Sequence, residues 1–194
     1  MPTKSALSHS NPPKIATRVT SHSQTSVKVR GFRTTDLSSV LQLIQGSYPP
    51  KPRRWAIATF LSHIELNKAK IDDGRRFFLV TSPGCIYAVF GIHRHIWGPK
   101  DICWASWFFI EPRIQRTRLA VTIAGLFFDK LSNMRFRRLY VETYSDHPQY
   151  SRIARLLPKF GFTCEARLCS YLEPGVDMLY FSKDLQPPCP KRLK

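Results

Sequence analysis

The sequence lacks several features that would have assigned it quickly to a class. No apolar run approaches the roughly 20 residues that a helix needs to cross a bilayer. The two richest stretches, 102–110 and 119–128, are separated by Glu111, Arg113, Arg116 and Arg118, so they read as a buried strand and a helix. The N-terminus has no apolar core of a secretory signal. Its Ser/Thr-rich, acid-free character suits an organelle leader, but it is poor in Arg and interrupted by Pro12 and Pro13. The expectation is therefore a cytoplasmic protein. Five cysteines stand at 85, 103, 164, 169 and 189, an odd number with no CxxC pair. That argues against a disulfide framework and a structural zinc site. Cys85, Cys103 and Cys164 lie in apolar surroundings and are expected to be small core residues. His93 and His95 share a strand face without a third ligand in sight, so no metal is expected. There is no internal repeat, zinc-finger spacing, basic zipper or ribonucleoprotein-type aromatic signature.

Acidic residues are also scarce. Thirteen Asp and Glu face 30 Lys and Arg, a formal net charge of +17. Such a balance favours a polyanionic partner, whether a phosphorylated cofactor, a nucleic acid or an anionic surface. Residues 1–35 carry six Lys and Arg and no acid. They read as a solubilising tail and a solvated strand edge, with weak contact to nucleic acid or an anionic surface as the alternative.

The 194 residues suffice for one domain with a core and short tails. Residues 1–26 are polar and without sustained period, a flexible basic tail. Residues 27–184 form the domain, and 185–194 a Pro/Lys-rich tail. A strand over 27–33 is followed by an N-cap among Thr34, Thr35 and Asp36. Helix one then runs over 37–46, with Leu37, Val40, Leu41 and Ile44 at helical spacing. Helix two is expected over 55–68, with Ala56, Phe60, Ile64 and Leu66 on its apolar face. Strands over 77–80 and 85–93 flank the Ser82-Pro83-Gly84 turn as a hairpin. The aromatic strand 101–110 reads as buried on both faces, which favours core packing over base stacking for Trp104, Trp107, Phe108 and Phe109. Helix three covers 116–131, a strand 138–142, a short helix 151–159, and two last strands 162–170 and 178–182. The order β-α-α-β-β-β-α-β-α-β-β predicts an α/β fold: a mixed, mostly antiparallel sheet of six to seven strands with helices on both faces.

Local motifs carry a family resemblance over 27–184. The run LYVETYSDHPQY from Leu139 to Tyr150, then Lys159-Phe160-Gly161-Phe162, then YLEPGVDMLY from Tyr171 to Tyr180, agree at several offsets together. They resemble the GCN5-related N-acetyltransferases, the GNAT family, whose fold is acyl-CoA N-acyltransferase-like. That family holds the pyrophosphate of acetyl-CoA with a Gln/Arg-x-x-Gly-x-Gly/Ala stretch opening a helix. Here the stretch is Gln115, Arg116, Thr117, Arg118, Leu119 and Ala120. Gln115 and Ala120 match, and Arg118 replaces the middle glycine. A diphosphate suits a helix N-terminus because the first N–H groups lack intrahelical partners and the dipole favours negative charge. The Arg118 side chain either obstructs that approach or adds charge-assisted bonds.

The resemblance implies further roles. Backbone of Phe109 and Ile110 would hold the thioester arm. The family's tyrosine acid, four residues before the Gly161 match, is replaced by Leu157, followed by Pro158. Glu142, at the end of a central strand, and Tyr150 are the catalytic candidates for proton movement. Tyr171, Glu173 and Asp177 fall in a loop that in similar sequences lines the acceptor side. The implied activity is acetyl transfer from acetyl-CoA, as acyl-donor substrate, to a primary amine of a small molecule or protein. A longer acyl donor, and a non-catalytic protein of the same fold binding an anionic partner, are the alternatives. A homodimer is left open.

Overall fold

A computed structural model describes residues 27–47, 50–147 and 150–185 of the chain; the two tails expected at 1–26 and 185–194 lie, apart from Leu185, outside the described residues. Seven strands and four helices follow the expected order. They are β1 (Lys28–Gly31), α1 (Leu37–Ser47), α2 (Pro50–Lys68), β2 (Arg75–Ser82), β3 (Cys85–His93), β4 (Ile102–Ile110), α3 (Arg118–Ser132), β5 (Arg138–Tyr144), α4 (Tyr150–Lys159), β6 (Thr163–Glu173) and β7 (Val176–Asp184). The strands form one sheet in the order β1-β2-β3-β4-β5-β7-β6. All neighbours are antiparallel except β4 and β5, which run parallel with α3 as the crossover.

Two cores result, one on each face of the sheet. α1 and α2 bury Val40, Ile44, Ala56 and Phe60 against Phe77, Leu79, Val89 and Phe109. On the other face, Ile123, Phe127 and Leu131 of α3 and Leu157 of α4 pack on Phe78, Phe90, Cys103, Leu139 and Phe181. The alternation of β2 and β3 residues between these cores is the period-two signature of strands covered on both sides.

Differences from expectation have local causes. α2 begins at Pro50, not at residue 55. Prolines are tolerated in a first helical turn, where the missing N–H has no acceptor to lose. Its buried face includes His63, at 6% exposure. The His63 Nδ1–H donates to the Asp73 carboxylate (3.0 Å) and Asn67 Nδ2 approaches its other ring nitrogen (2.9 Å). That pairing is what permits a polar ring inside. α3 begins two residues later than expected, because Pro112–Ile114 forms a 3-10 turn and Thr117 is extended (φ −101°, ψ 168°). Only Cys103 of the three expected core cysteines is buried; Cys85 and Cys164 are exposed. Cys164 lies on β6, an edge strand with almost no burial, and Cys85 opens β3 directly after a turn. Burial pushes the Cys103 thiol up to about 12.

β4 is less covered than its composition suggested. Cys103 and Phe109 are fully buried, while Trp104 and Trp107 are half-buried. α1 and α2 do not extend over β5 and β7. One face of the sheet is therefore open beyond Trp104.

Candidate functional site

The decisive local feature is where β4 and β5 part. They are paired at Ile102–Arg138, Cys103–Leu139 and Trp104–Tyr140, and no further. Beyond that point a wedge opens between residues 105–110 and 141–144. Part of the cause lies in β4. Residues Phe90 and Ile92 of β3 oppose Phe108 and Ala105, so β4 carries one extra residue around Ser106 and Trp107. Such a bulge bends a strand and sharpens its twist. Gly91 faces the bulge, and a Cβ there would lie 2.5 Å from the Phe77 ring. Only glycine fits this crossing of the α2-side core.

The loop after β4 and the start of α3 stand at the end of the wedge. Gln115 Nε2 donates to the Ile110 carbonyl (3.0 Å), and Arg152 of α4 donates to the Gln115 carbonyl. Loop, strand end and α4 are thereby tied together. Thr117 occupies the N-cap position of α3 but makes no side-chain cap; its hydroxyl donates back to the Ile114 carbonyl at 2.8 Å. The first turn, Arg118, Leu119 and Ala120, has no acidic residue. Its N–H groups therefore lack both a capping side chain and a neighbouring carboxylate. Arg116 and Arg118 are exposed, and their guanidinium groups make no hydrogen bond or ion pair with another described residue. Leu119 is half-buried and Ala120 buried against the core.

Thr143 was missed by sequence reading. It sits on β5 beyond the last pair with β4, is 4% exposed, and its Oγ1 has no hydrogen-bond partner. Its register partner Leu179 belongs to the core under α3 and α4. A buried hydroxyl without a partner is costly, by about 1–3 kcal/mol. No sequence signal marks it, since threonine is ordinary in strands.

The two catalytic candidates lie on different faces. Glu142 shares a strand face with Tyr140 and Tyr144, pairs in register with Tyr180, and faces the open side. It is accessible to water, yet surrounding protein raises its carboxyl pKa above the ordinary value, with His95 opposing. Both properties hold for a group on the floor of an open cleft; the accessible area limits how far the shift goes. The Glu142 carboxylate makes no hydrogen bond or ion pair with another described residue. Tyr144, on the same face, is held protonated by burial and by the charge of Glu142. Tyr150 opens α4 and packs half-buried against the opposite core. Phe109 is fully buried on the α1–α2 side, so only its main chain can face the wedge. Ile110 is half-buried, and its carbonyl accepts from Gln115. Leu157 is buried in the core, and the chain leaves α4 through Gly161 at φ +81°.

Asp177 lies on β7 and not in the loop expected to hold it, and its carboxylate is engaged. It is 7% exposed; its carboxylate accepts from the Ser170 N–H (2.9 Å) and Arg167 Nε (2.6 Å), and its own N–H donates to Ser145 Oγ (2.9 Å). It fastens the β6–β7 hairpin to the end of β5. Beside the bulge a cavity of about 360 Å³ is lined by Thr59, Asp73, His93, His95, Trp97 and Trp107 among others. Burial and the neighbouring His95 and Arg75 charges hold His93 down to about 4, so its imidazole is neutral at pH 7.

No helix among the described residues is long and apolar enough to cross a membrane. No family model and no curated protein sequence matches this chain. Solved structures do. A protein from Desulfovibrio desulfuricans assigned to the GNAT acetyltransferases superposes with a TM-score of 0.71 at 17% identity, over 83% of this chain and 100% of that one. The ribosomal-protein-S18-alanine N-acetyltransferase of Escherichia coli gives 0.65 at 18%, over 87% and 99%. The spermidine/spermine N-acetyltransferase of Vibrio cholerae gives 0.59 at 16%, over 82% and 92%. The mixed seven-stranded sheet with its parted central strands is thus the fold of the GNAT acetyltransferases.

Proposed function

We propose that the protein is an N-acetyltransferase that moves acetyl from acetyl-CoA to a primary amine. The observation that carries this reading is the wedge between β4 and β5, with the unpartnered Thr143 hydroxyl in its wall and the uncapped start of α3 at its end. The residues present fit a coenzyme A thioester. Thr143 would satisfy its hydroxyl on the pantetheine arm, alongside backbone of Phe109 and Ile110. Gln115 to Ala120 would hold the diphosphate: main-chain N–H groups of Thr117 to Ala120 receive it, and Arg116 and Arg118 add charge-assisted bonds. When bound, acetyl-CoA supplies an activated carbonyl and a thiolate leaving group.

The chain's own groups then have three tasks. The amine must lose its proton before attack, and Glu142 is the carboxylate on the open side that is free to take it, directly or through one water. Main-chain N–H groups released by the parting of β4 from β5 would be the donors to a developing oxyanion. Protonation of the departing thiolate cannot come from Leu157. Tyr144, kept protonated beside Glu142, is a donor on the acceptor side, and Tyr150 is one on the α4 side. The route without a dedicated acid at 157 is expected to be slower than one with a tyrosine there.

The test is calorimetric titration with acetyl-CoA and CoA at fixed ionic strength. One ligand per chain, persisting at about 0.3 M salt where exposed charges are screened, and weakened by Arg116→Gln, supports the reading. Thiol release with a panel of amines then measures turnover. Binding that disappears with salt, or no release above background, leaves a basic binding protein with this fold.

A further inference from the structure

The open face beside Glu142 is floored by aromatic rings. Trp104 stacks on Tyr140 with centroids 4.7 Å apart and planes at 21°. It meets Tyr180 edge-on, at 5.9 Å and 87°, so the two rings form a corner. Glu142 lies opposite Tyr180 in register and next to Tyr140 on the same strand face. His95 continues the ring surface, 5.4 Å from Trp104, and carries Trp97 stacked on it at 4.8 Å. Trp97 is 86% exposed, an indole at the rim with a face toward solvent.

Charge bookkeeping singles out the carboxylate. Nine of the 13 acidic residues have a Lys, Arg or His nitrogen within 4.0 Å. The four without one among the described residues are Asp129, Glu142, Asp146 and Glu173. Only Glu142 is flanked by tyrosines along and across its strand. In a chain with 30 Lys and Arg, leaving this carboxylate unpaired among π-faces leaves room for a cation from outside. The floor already holds one at its edge: the Arg138 guanidinium stands 6.0 Å over the Tyr140 ring while bound to Asp184. Trp104 also stacks on His93 at 6.3 Å and 20°, so it stands in a row of rings between His93 and Tyr140. A carboxylate beside such a row is suited to an alkylammonium, through Coulomb attraction and cation–π contact with the rings at its border.

We infer that Trp104, Tyr140, Tyr180 and Glu142 form a binding site for an alkylammonium, and that the acceptor is an aliphatic cationic amine and not a neutral or aromatic one. The acceptor clause rests on the transferase reading; the cation site does not. Net charge cannot imitate the effect, because a chain of +17 repels cations in general.

The test uses the full chain at constant ionic strength and follows tryptophan fluorescence. Choline is compared with 3,3-dimethylbutan-1-ol, its neutral isostere, and butylammonium with butan-1-ol. The cations are expected to bind roughly tenfold more tightly than the neutral partners. Glu142→Gln should reduce that ratio severalfold, and Trp104→Leu, with fold checked by circular dichroism, should reduce it independently. Equal binding of cation and isostere, or a preference untouched by both substitutions, overturns the site. A CoA titration of the same samples separates the two ideas. Cation preference without CoA binding keeps the site and sinks the transferase. Saturable CoA binding without cation preference does the reverse.

Discussion

Replacing Thr143 by valine should make the free protein more stable and its CoA complex weaker. The hydroxyl is 4% exposed and unpartnered. Valine keeps the β-branched shape in a strand and removes a buried polar group that has lost water without gaining a bond. The penalty relieved is about 1–3 kcal/mol. For a chain of this size that corresponds to roughly 2–4 °C in melting temperature per kcal/mol. The same substitution deletes the one side-chain hydrogen bond assigned to the pantetheine arm, about 0.5–1.5 kcal/mol or roughly a two- to tenfold weaker Kd. Urea unfolding without ligand gives the first quantity and calorimetric titration with CoA the second. Opposite signs are the diagnostic feature, because a structural hydroxyl would give a less stable valine variant. A valine variant that is destabilised, or that binds CoA as tightly as the parent, refutes the assignment.

Other consequences are open to measurement. Gly91→Ala should destabilise by about 1–3 kcal/mol in urea unfolding, because its Cβ meets the Phe77 ring at 2.5 Å in a core with no room to yield. Arg116→Gln and Arg118→Gln should each weaken CoA binding about two- to fivefold at low salt, with a smaller difference at high salt, since both side chains are exposed. Were Arg118→Gln instead to tighten binding, the side chain would be an obstruction and not a partner. His93 has its folded pKa depressed to about 4 against an ordinary 6.5. The unfolded chain therefore binds more protons between those values, and this group's contribution is present above about pH 6.5 and lost toward pH 4. His93→Gln should flatten the slope of urea midpoint against pH in that window.

Much of the architecture was legible because it is encoded locally. Short apolar runs on either side of a tight turn marked β2 and β3, and helical spacing at Val40 and Ile44 marked a face that is buried. Turn residues fixed the hairpin at Ser82–Cys85. Helix starts were less well placed. The start of α2 was expected at residue 55 although Pro50 already lies in its first turn, and residues 116–117 were read as helix although the 3-10 turn before them delays α3. The cysteines show the limit of local context: Cys85, Cys103 and Cys164 were read alike, but Cys85 stands at the turn end of β3 and Cys164 on the edge strand β6, and only Cys103 lies under the core of α3.

The site divides in the same way. Residues Gln115 to Ala120 and Glu142 could be named from offsets along the chain, because a loop leading into a helix and a strand end are contiguous. The wedge could not, since it depends on how far two strands 36 residues apart in register stay paired and on a bulge set against Gly91. Nor could the unpartnered Thr143, the ring corner of Trp104 and Tyr180, or the loss of Asp177 to Arg167. Sequence alone determined the order of elements and the basic loop before α3, because short-range periodicity and charge specify them. Only the tertiary structure decided which polar groups are left unsatisfied, because a donor or acceptor is spent or spared by whatever the fold brings beside it.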